Sequence, residues 1–208
     1  MSTRAEKAKA EKAKAEKAKV VAPTPEATEH FGGSLAPLLR PGDTVLLSGD
    51  LGAGKTTFVR GLARALGVQG PVTSPTFVLL HSYPTTAGFD LLHADVWRLE
   101  HLQEVIDLAI PELLEDGAAA VVEWGHRAAP ALSGDFLYVD IGFGQPEQPG
   151  RPGRPSGQVG PQGYRQLEVY ASGTSWDERL RELAHSWRGT CTAPSTASSP
   201  EPVQPTDS

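Results

Sequence analysis

The 208-residue chain is 39% apolar, which suits one α/β domain with unstructured extensions. Its formal net charge of −6 is uneven: residues 1–20 carry seven basic side chains against three glutamates, a local +4, which leaves −10 on the rest and argues against a general polyanion binder. Its single cysteine, Cys191, in a Pro/Ser/Thr-rich tail excludes a disulfide framework and a cysteine-built metal site; with no apolar run near 18 residues and no apolar N-terminal segment, no membrane span or export is expected and the cytoplasm is the default location.

In chain order, Ala5 to Lys19 is Ala-Glu-Lys-Ala-Lys three times over. The repeat has good helix propensity but no apolar stripe, so it reads as a solvated, partly helical tail. Val20 to Pro25 reads as a linker. Glu26 to Arg40 carries apolar residues at 31, 35, 38 and 39, a helix weakened by Gly32, Gly33 and Pro37. Pro41-Gly42-Asp43 then turns the chain into Thr44-Val45-Leu46-Leu47-Ser48, a short β-prone run.

Gly49-Asp50-Leu51-Gly52-Ala53-Gly54-Lys55-Thr56 matches the P-loop pattern G-x-x-x-x-G-K-[ST] at every fixed position. A strand runs into it, and Thr57 to Leu66 runs out with Phe58, Leu62 and Leu66 on one helical face, ended by Gly67. Backbone N–H groups of such a loop form an anion nest at a helix N-terminus. The residues expected to bind nucleotide are therefore Gly49, Asp50, Leu51, Gly52, Ala53, Gly54, Lys55, Thr56 and Thr57. Lys55 is expected at the β- and γ-phosphates, and the Thr56 hydroxyl at Mg²⁺.

Gly70 to Phe77 is rich in Ser, Thr and Pro and precedes a β-prone run, Phe77 to His81. A hydroxyl there, from Ser74 or Thr76, is placed to meet the γ-phosphate or its magnesium, or the segment is an ordinary turn. Two carboxylates end later apolar runs: Asp95 after Leu91-Leu92-His93-Ala94, and Glu123 after Ala118 to Val122. In parallel α/β sheets functional groups gather at the C-terminal ends of strands. Asp95 and Glu123 are thus candidates to hold Mg²⁺ or orient water, against the plainer role of marking a strand's exit into solvent. His93 and His126 lack partners at ligand spacing and read as packing or surface residues.

Leu99 to Leu114 reads as helical until Pro111, Phe136 to Phe143 and Tyr164 to Ala171 as strands, and Ser175 to Arg188 as a terminal amphipathic helix. The expected organisation is a tail over 1–22, a domain over 23–188 with a flexible Gly/Pro-rich insertion at about 144–163, and a second tail over 189–208. The fold class is α/β, a P-loop NTPase-like domain. The chain has no asparagine and no D-x-x-G, so it lacks the elements by which most P-loop GTPases select guanine, which favours ATP.

An ordered series of segments resembles the bacterial TsaE family, the ATPase of tRNA threonylcarbamoyladenosine synthesis. The series is Thr24 to Thr28, Leu46 to Thr57, Val72-Thr73-Ser74-Pro75-Thr76-Phe77, His93-Ala94-Asp95-Val96-Trp97-Arg98-Leu99 and Val122-Glu123-Trp124. The resemblance implies three layers, with a mixed sheet between helices, and functional roles for Asp95 and Glu123, the latter in the magnesium and catalytic environment. It places Thr24 near the nucleotide base and Trp124 beside Glu123, and adds both, with Thr76, to the residues expected to bind nucleotide. It also implies partners, TsaD and TsaB, with TsaD transferring threonylcarbamoyl to adenosine 37 of tRNAs that read codons beginning with A; tRNA is then met through the complex. Trp97 stands where tyrosine is usual, and the lysine repeat, the insertion and the last 20 residues have no counterpart. The competing classes are a small-molecule kinase with Asp95 as base and a nucleotide-gated binding module with negligible turnover.

Overall fold

The structure, a computed structural model, describes residues 17–75, 79–132, 135–144 and 164–188. Among them seven strands form one sheet in the order β1-β7-β6-β2-β5-β4-β3. The strands are β1 (Lys17–Ala22), β2 (Thr44–Ser48), β3 (Leu80–Pro84), β4 (Asp90–Asp95), β5 (Ala119–Glu123), β6 (Phe136–Phe143) and β7 (Arg165–Ser172). The centre, β6-β2-β5-β4, is parallel, and β1, β7 and β3 are added antiparallel at the edges. The sheet is therefore mixed, as the family resemblance implies.

The parallel strands are apolar on both faces because helices cover both. Val45 and Leu47 of β2 face one layer, formed by α1 (Pro25–Leu35), α2 (Lys55–Ala65) and α6 (Asp177–Arg188). Leu46 faces the other, where α3 (Leu102–Ile106), α4 (Ile110–Glu115) and α5 (Gly125–Ala128) lie. Two contacts pin α6: Arg179 is buried against Asp43, and Trp187 Nε1 donates to Ser34 Oγ at 2.6 Å. No helix among the described residues is long and apolar enough to cross a membrane.

Three elements differ from the sequence expectation. Residues 17–22, read as tail and linker, are strand β1. The alternation Ala18, Val20, Ala22 buries one face against the core, while Lys19 points out to an exposed ion pair with Glu168 at 3.3 Å. A lysine on the outer strand also discourages further strand pairing. The helix over Leu99–Leu114 is two helices, separated at Ala109 with φ of 52°. Pro111 cannot donate to a preceding turn, so it sits in the first turn of a new helix, where its missing N–H costs nothing. Of the β-prone run Phe77–His81, residues 77 and 78 lie outside the described residues, Leu79 is left-handed with φ of 70°, and the strand runs on from Leu80 to Pro84. The insertion over 145–163 and the tails over 1–16 and 189–208 lie outside the described residues.

Strand β1 changes what truncation should do. Removing residues 1–20, harmless if they were a tail, deletes Ala18 and Val20 from the core. The expected loss is about 2 kcal/mol, from roughly 25 cal/mol per Å² of apolar area, or a fall in melting temperature of about 4–8 °C. A chain starting at Lys17 keeps every β1–β7 pair and should melt with the full-length protein. Equal melting temperatures for both truncations would show that β1 contributes nothing.

Candidate functional site

Residues at the C-terminal ends of β2, β5 and β4 build one site. β2 delivers the P-loop. Gly49 has φ of 132°, and a Cβ there would lie 2.1 Å from the carbonyl oxygen of Ile141 on the adjacent β6. Only glycine lets the loop leave the sheet so close to that strand. Gly54, with φ of 111°, caps α2, and the first turn of α2 carries Lys55, Thr56 and Thr57.

Lys55 is buried. Its Nζ donates to the carbonyls of Gly49 at 2.7 Å and Asp50 at 3.0 Å, and lies 3.9 Å from the centre of the Trp124 ring. Burial pushes its ammonium below the usual lysine value, opposed by the charges of Glu123, Asp95 and Asp50. A further negative charge brought beside it would strengthen that opposition.

Glu123 ends β5 and is in register with Asp95 at the end of β4. Both carboxylates are buried. Thr56 Oγ1 donates to Glu123 Oε1 at 2.7 Å, so the P-loop hydroxyl touches the neighbouring strand's carboxylate. His93 Nε2 meets the same oxygen at 2.9 Å. Among the described residues His93 Nδ1 is buried without a partner, so the proton that serves the carboxylate is the one on Nε2. His93, which the sequence presents as a packing or surface residue, is thus part of the site; its place two residues before Asp95, on a buried strand, is the signal for it. Asp95 Oδ2 accepts from Ser74 Oγ at 2.7 Å and Oδ1 from the backbone N–H of Trp97 at 3.0 Å. Of the two hydroxyls left open, Ser74 is thus at the site; Thr76 lies outside the described residues.

Trp124 follows Glu123 in a left-handed conformation, φ of 62°, which turns its ring back over Lys55. The next residue must be small: a Cβ on Gly125 would lie 2.5 Å from Leu46 Cβ. Trp97 lies against Trp124 with ring centroids 4.2 Å apart, and Arg127 holds the Trp97 and Leu99 carbonyls at 2.8 and 3.2 Å. Thr24 caps α1, its Oγ1 accepting from Ala27 N at 3.2 Å. The first turn of α1 reaches the P-loop, with Thr28 Cγ2 3.6 Å from the position of a Cβ on Gly54. Asp50 and Leu51 are exposed at the loop tip and Ala53 is buried beneath it. Leu51 and Ala53 side chains are apolar, so what they offer a ligand is backbone.

The oxygen donors Thr56, Glu123 and Asp95 suit a hard cation such as Mg²⁺. No group of three His, Cys, Asp or Glu side chains able to hold a metal occurs among the described residues. A magnesium ion bound mainly through phosphates and water needs no such cage.

The family model for threonylcarbamoyl adenosine biosynthesis protein TsaE matches residues 22–150. The tRNA threonylcarbamoyladenosine biosynthesis protein TsaE of Streptomyces coelicolor is 49% identical over 112 residues, 53% of this chain and 75% of that protein. Its namesake in Bacillus subtilis is 38% identical over 117 residues, 56% of this chain and 72% of that protein. The crystal structure of Bacillus subtilis YdiB superposes with a TM-score of 0.62 at 26% identity, covering 83% of this chain and 97% of the other. With the model spanning more than half its length and relatives this similar, the chain belongs to the TsaE family of threonylcarbamoyl adenosine biosynthesis proteins.

Proposed function

We propose that this protein binds ATP with Mg²⁺ at the P-loop and hydrolyses it in support of threonylcarbamoyl transfer to adenosine 37 of tRNAs that read codons beginning with A, a transfer carried out by TsaD with TsaB. The observation that carries the reading is the 2.7 Å contact between Thr56 and Glu123. It joins a P-loop hydroxyl to a strand-end carboxylate, the pair of oxygens an NTPase uses to hold magnesium. The nest of loop N–H groups and Lys55 would hold the β- and γ-phosphates. Magnesium would offset the charge that develops on the phosphate oxygens. Glu123, oriented by His93, and Asp95, oriented by Ser74 and the Trp97 amide, would hold the metal's water shell or direct the attacking water. Trp124 would close over the lysine side of the site, and Thr24 would lie towards the base.

With −10 outside the first 20 residues, the body is unsuited to holding a polyanion, so tRNA contact falls to the partners. The deciding assay is phosphate release with and without the purified TsaB–TsaD complex. Release without any acceptor separates this reading from a small-molecule kinase with Asp95 as base, which needs one.

Glu123→Gln keeps the side-chain shape and removes the charge. It should bind ATP within a few-fold of the parent and lose about 100-fold or more in turnover, the scale of one electrostatic contribution to the transition state. Binding is read by titration of tryptophan fluorescence, since Trp124 lies beside Lys55. Near-normal turnover would return Glu123 to a structural role.

A further inference from the structure

The P-loop is also held from outside. Arg165 opens β7 opposite Phe143 of β6 and lies beyond the family-matched residues 22–150. Its guanidinium crosses to the loop, where Nε donates to the carbonyl of Ala53 at 2.7 Å and Nη2 to that of Gly52 at 3.1 Å. Nη1 donates to the Tyr164 carbonyl at 3.0 Å, and the guanidinium lies 4.6 Å from the centre of the Phe143 ring. Every nitrogen of the fork is engaged. Lys55 takes the carbonyls of Gly49 and Asp50. Two cations, one within the P-loop motif and one on a distant strand, thus hold four carbonyls of one short loop.

A peptide unit carries its carbonyl and the following N–H on opposite edges. The Gly52 carbonyl shares its unit with the N–H of Ala53, which donates to the Asp50 carbonyl at 3.1 Å and closes a turn, and the Ala53 carbonyl shares its unit with the N–H of Gly54. Drawing both carbonyls toward a cation fixes both planes and polarises both N–H groups. Support from outside matters here because Gly52 and Gly54 have φ of 75° and 111°, and glycine is the residue that loses most freedom on being fixed. Leu51, 79% exposed, gives the loop tip little packing of its own.

We propose that Arg165 is a positioning residue for the P-loop: it fixes the Gly52 peptide plane, which closes the Asp50–Ala53 turn, and the Ala53 plane, which carries the Gly54 N–H that a polyphosphate would meet, and so sets nucleotide affinity. This rests on the nucleotide-binding reading of the loop and adds to it a residue outside the P-loop motif. The hold acts on bound substrate and transition state alike. Its loss therefore raises KM and Kd while leaving kcat nearly unchanged.

The test compares the full-length protein with Arg165→Met, which keeps the stem and removes the fork, and Arg165→Lys, which keeps the charge without the fork. Titration gives Kd for Mg-ATP and ADP, phosphate release gives KM and kcat, and backbone amide exchange over residues 49–56 is read without nucleotide. Arg165→Met should weaken both nucleotides by about tenfold, the scale of one or two charge-assisted hydrogen bonds. Its kcat should stay within about twofold, exchange over 49–56 should quicken, and Arg165→Lys should recover part of the affinity. Unchanged exchange, or unchanged Kd in a protein whose parent binds nucleotide, would overturn the inference. A parent that binds no nucleotide would instead sink the reading of the loop, and the exchange comparison would still decide whether Arg165 holds it.

Discussion

Replacing Lys55 with alanine is expected to lower ATP hydrolysis by at least about 100-fold, the usual scale for removing one preorganised electrostatic stabiliser. Of the two cations that hold the loop, Lys55 and Arg165, Lys55 is the buried one, where water screens its charge little. Its amine already bonds two loop carbonyls and lies over Trp124, so the side chain also braces the loop. Alanine removes both roles. Lys55→Met loses the charge and the two carbonyl bonds together and keeps only the packing, since the stem still fills the space under Trp124. If catalysis depends on the charge, Lys55→Met should be nearly as inactive as Lys55→Ala but closer to the parent in melting temperature. Undiminished phosphate release by either variant would show that this loop is not where hydrolysis occurs.

What the sequence made legible follows from how locally each feature is encoded. The P-loop is contiguous, and the physics of a strand, a glycine turn and a helix N-terminus is local, so Gly49 to Thr56 could be read directly. Asp95 and Glu123 were legible because a carboxylate ending an apolar run is a positional signal in a parallel sheet. Which partner each meets was not: the contacts of Thr56 and His93 with Glu123 join β4, β5 and α2. Arg165 was illegible for the same reason, being 112 residues from Ala53 in the chain. β1 was obscured by the lysine repeat, whose composition outweighed a weak alternation of alanine and valine. The glycines of α1 misled in another way. Gly32 and Gly33 lower helix propensity and so look like weak points in the sequence; in the fold they are where two helices meet.

That meeting predicts a large effect on stability. A Cβ on Gly61 of α2 would lie 1.8 Å from the carbonyl oxygen of Glu29, and one on Gly32 of α1 would lie 2.0 Å from that of Phe58. The obstructing atoms are backbone, so no rotamer change relieves them, and α1 and α2 must move apart. Overpacking costs about 1–3 kcal/mol, and more where backbone shifts. Against this, alanine gains about 1 kcal/mol over glycine within a helix. The contact should win. Gly61→Ala is expected to destabilise by about 2 kcal/mol and to lower the melting temperature by about 4–8 °C; Gly61→Val should do worse, since valine adds bulk and a poorer helix propensity. Gly142→Ala is the control, because a Cβ there meets nothing within 4 Å. The consequence reaches the site, since α2 carries Lys55 and Thr56 in its first turn and α1 sets Thr28 beside Gly54. Denaturant or thermal melts of the three variants decide the matter. A Gly61→Ala protein as stable as its parent would mean that the two helices are not in backbone contact, and α1 could not then hold the loop from that side.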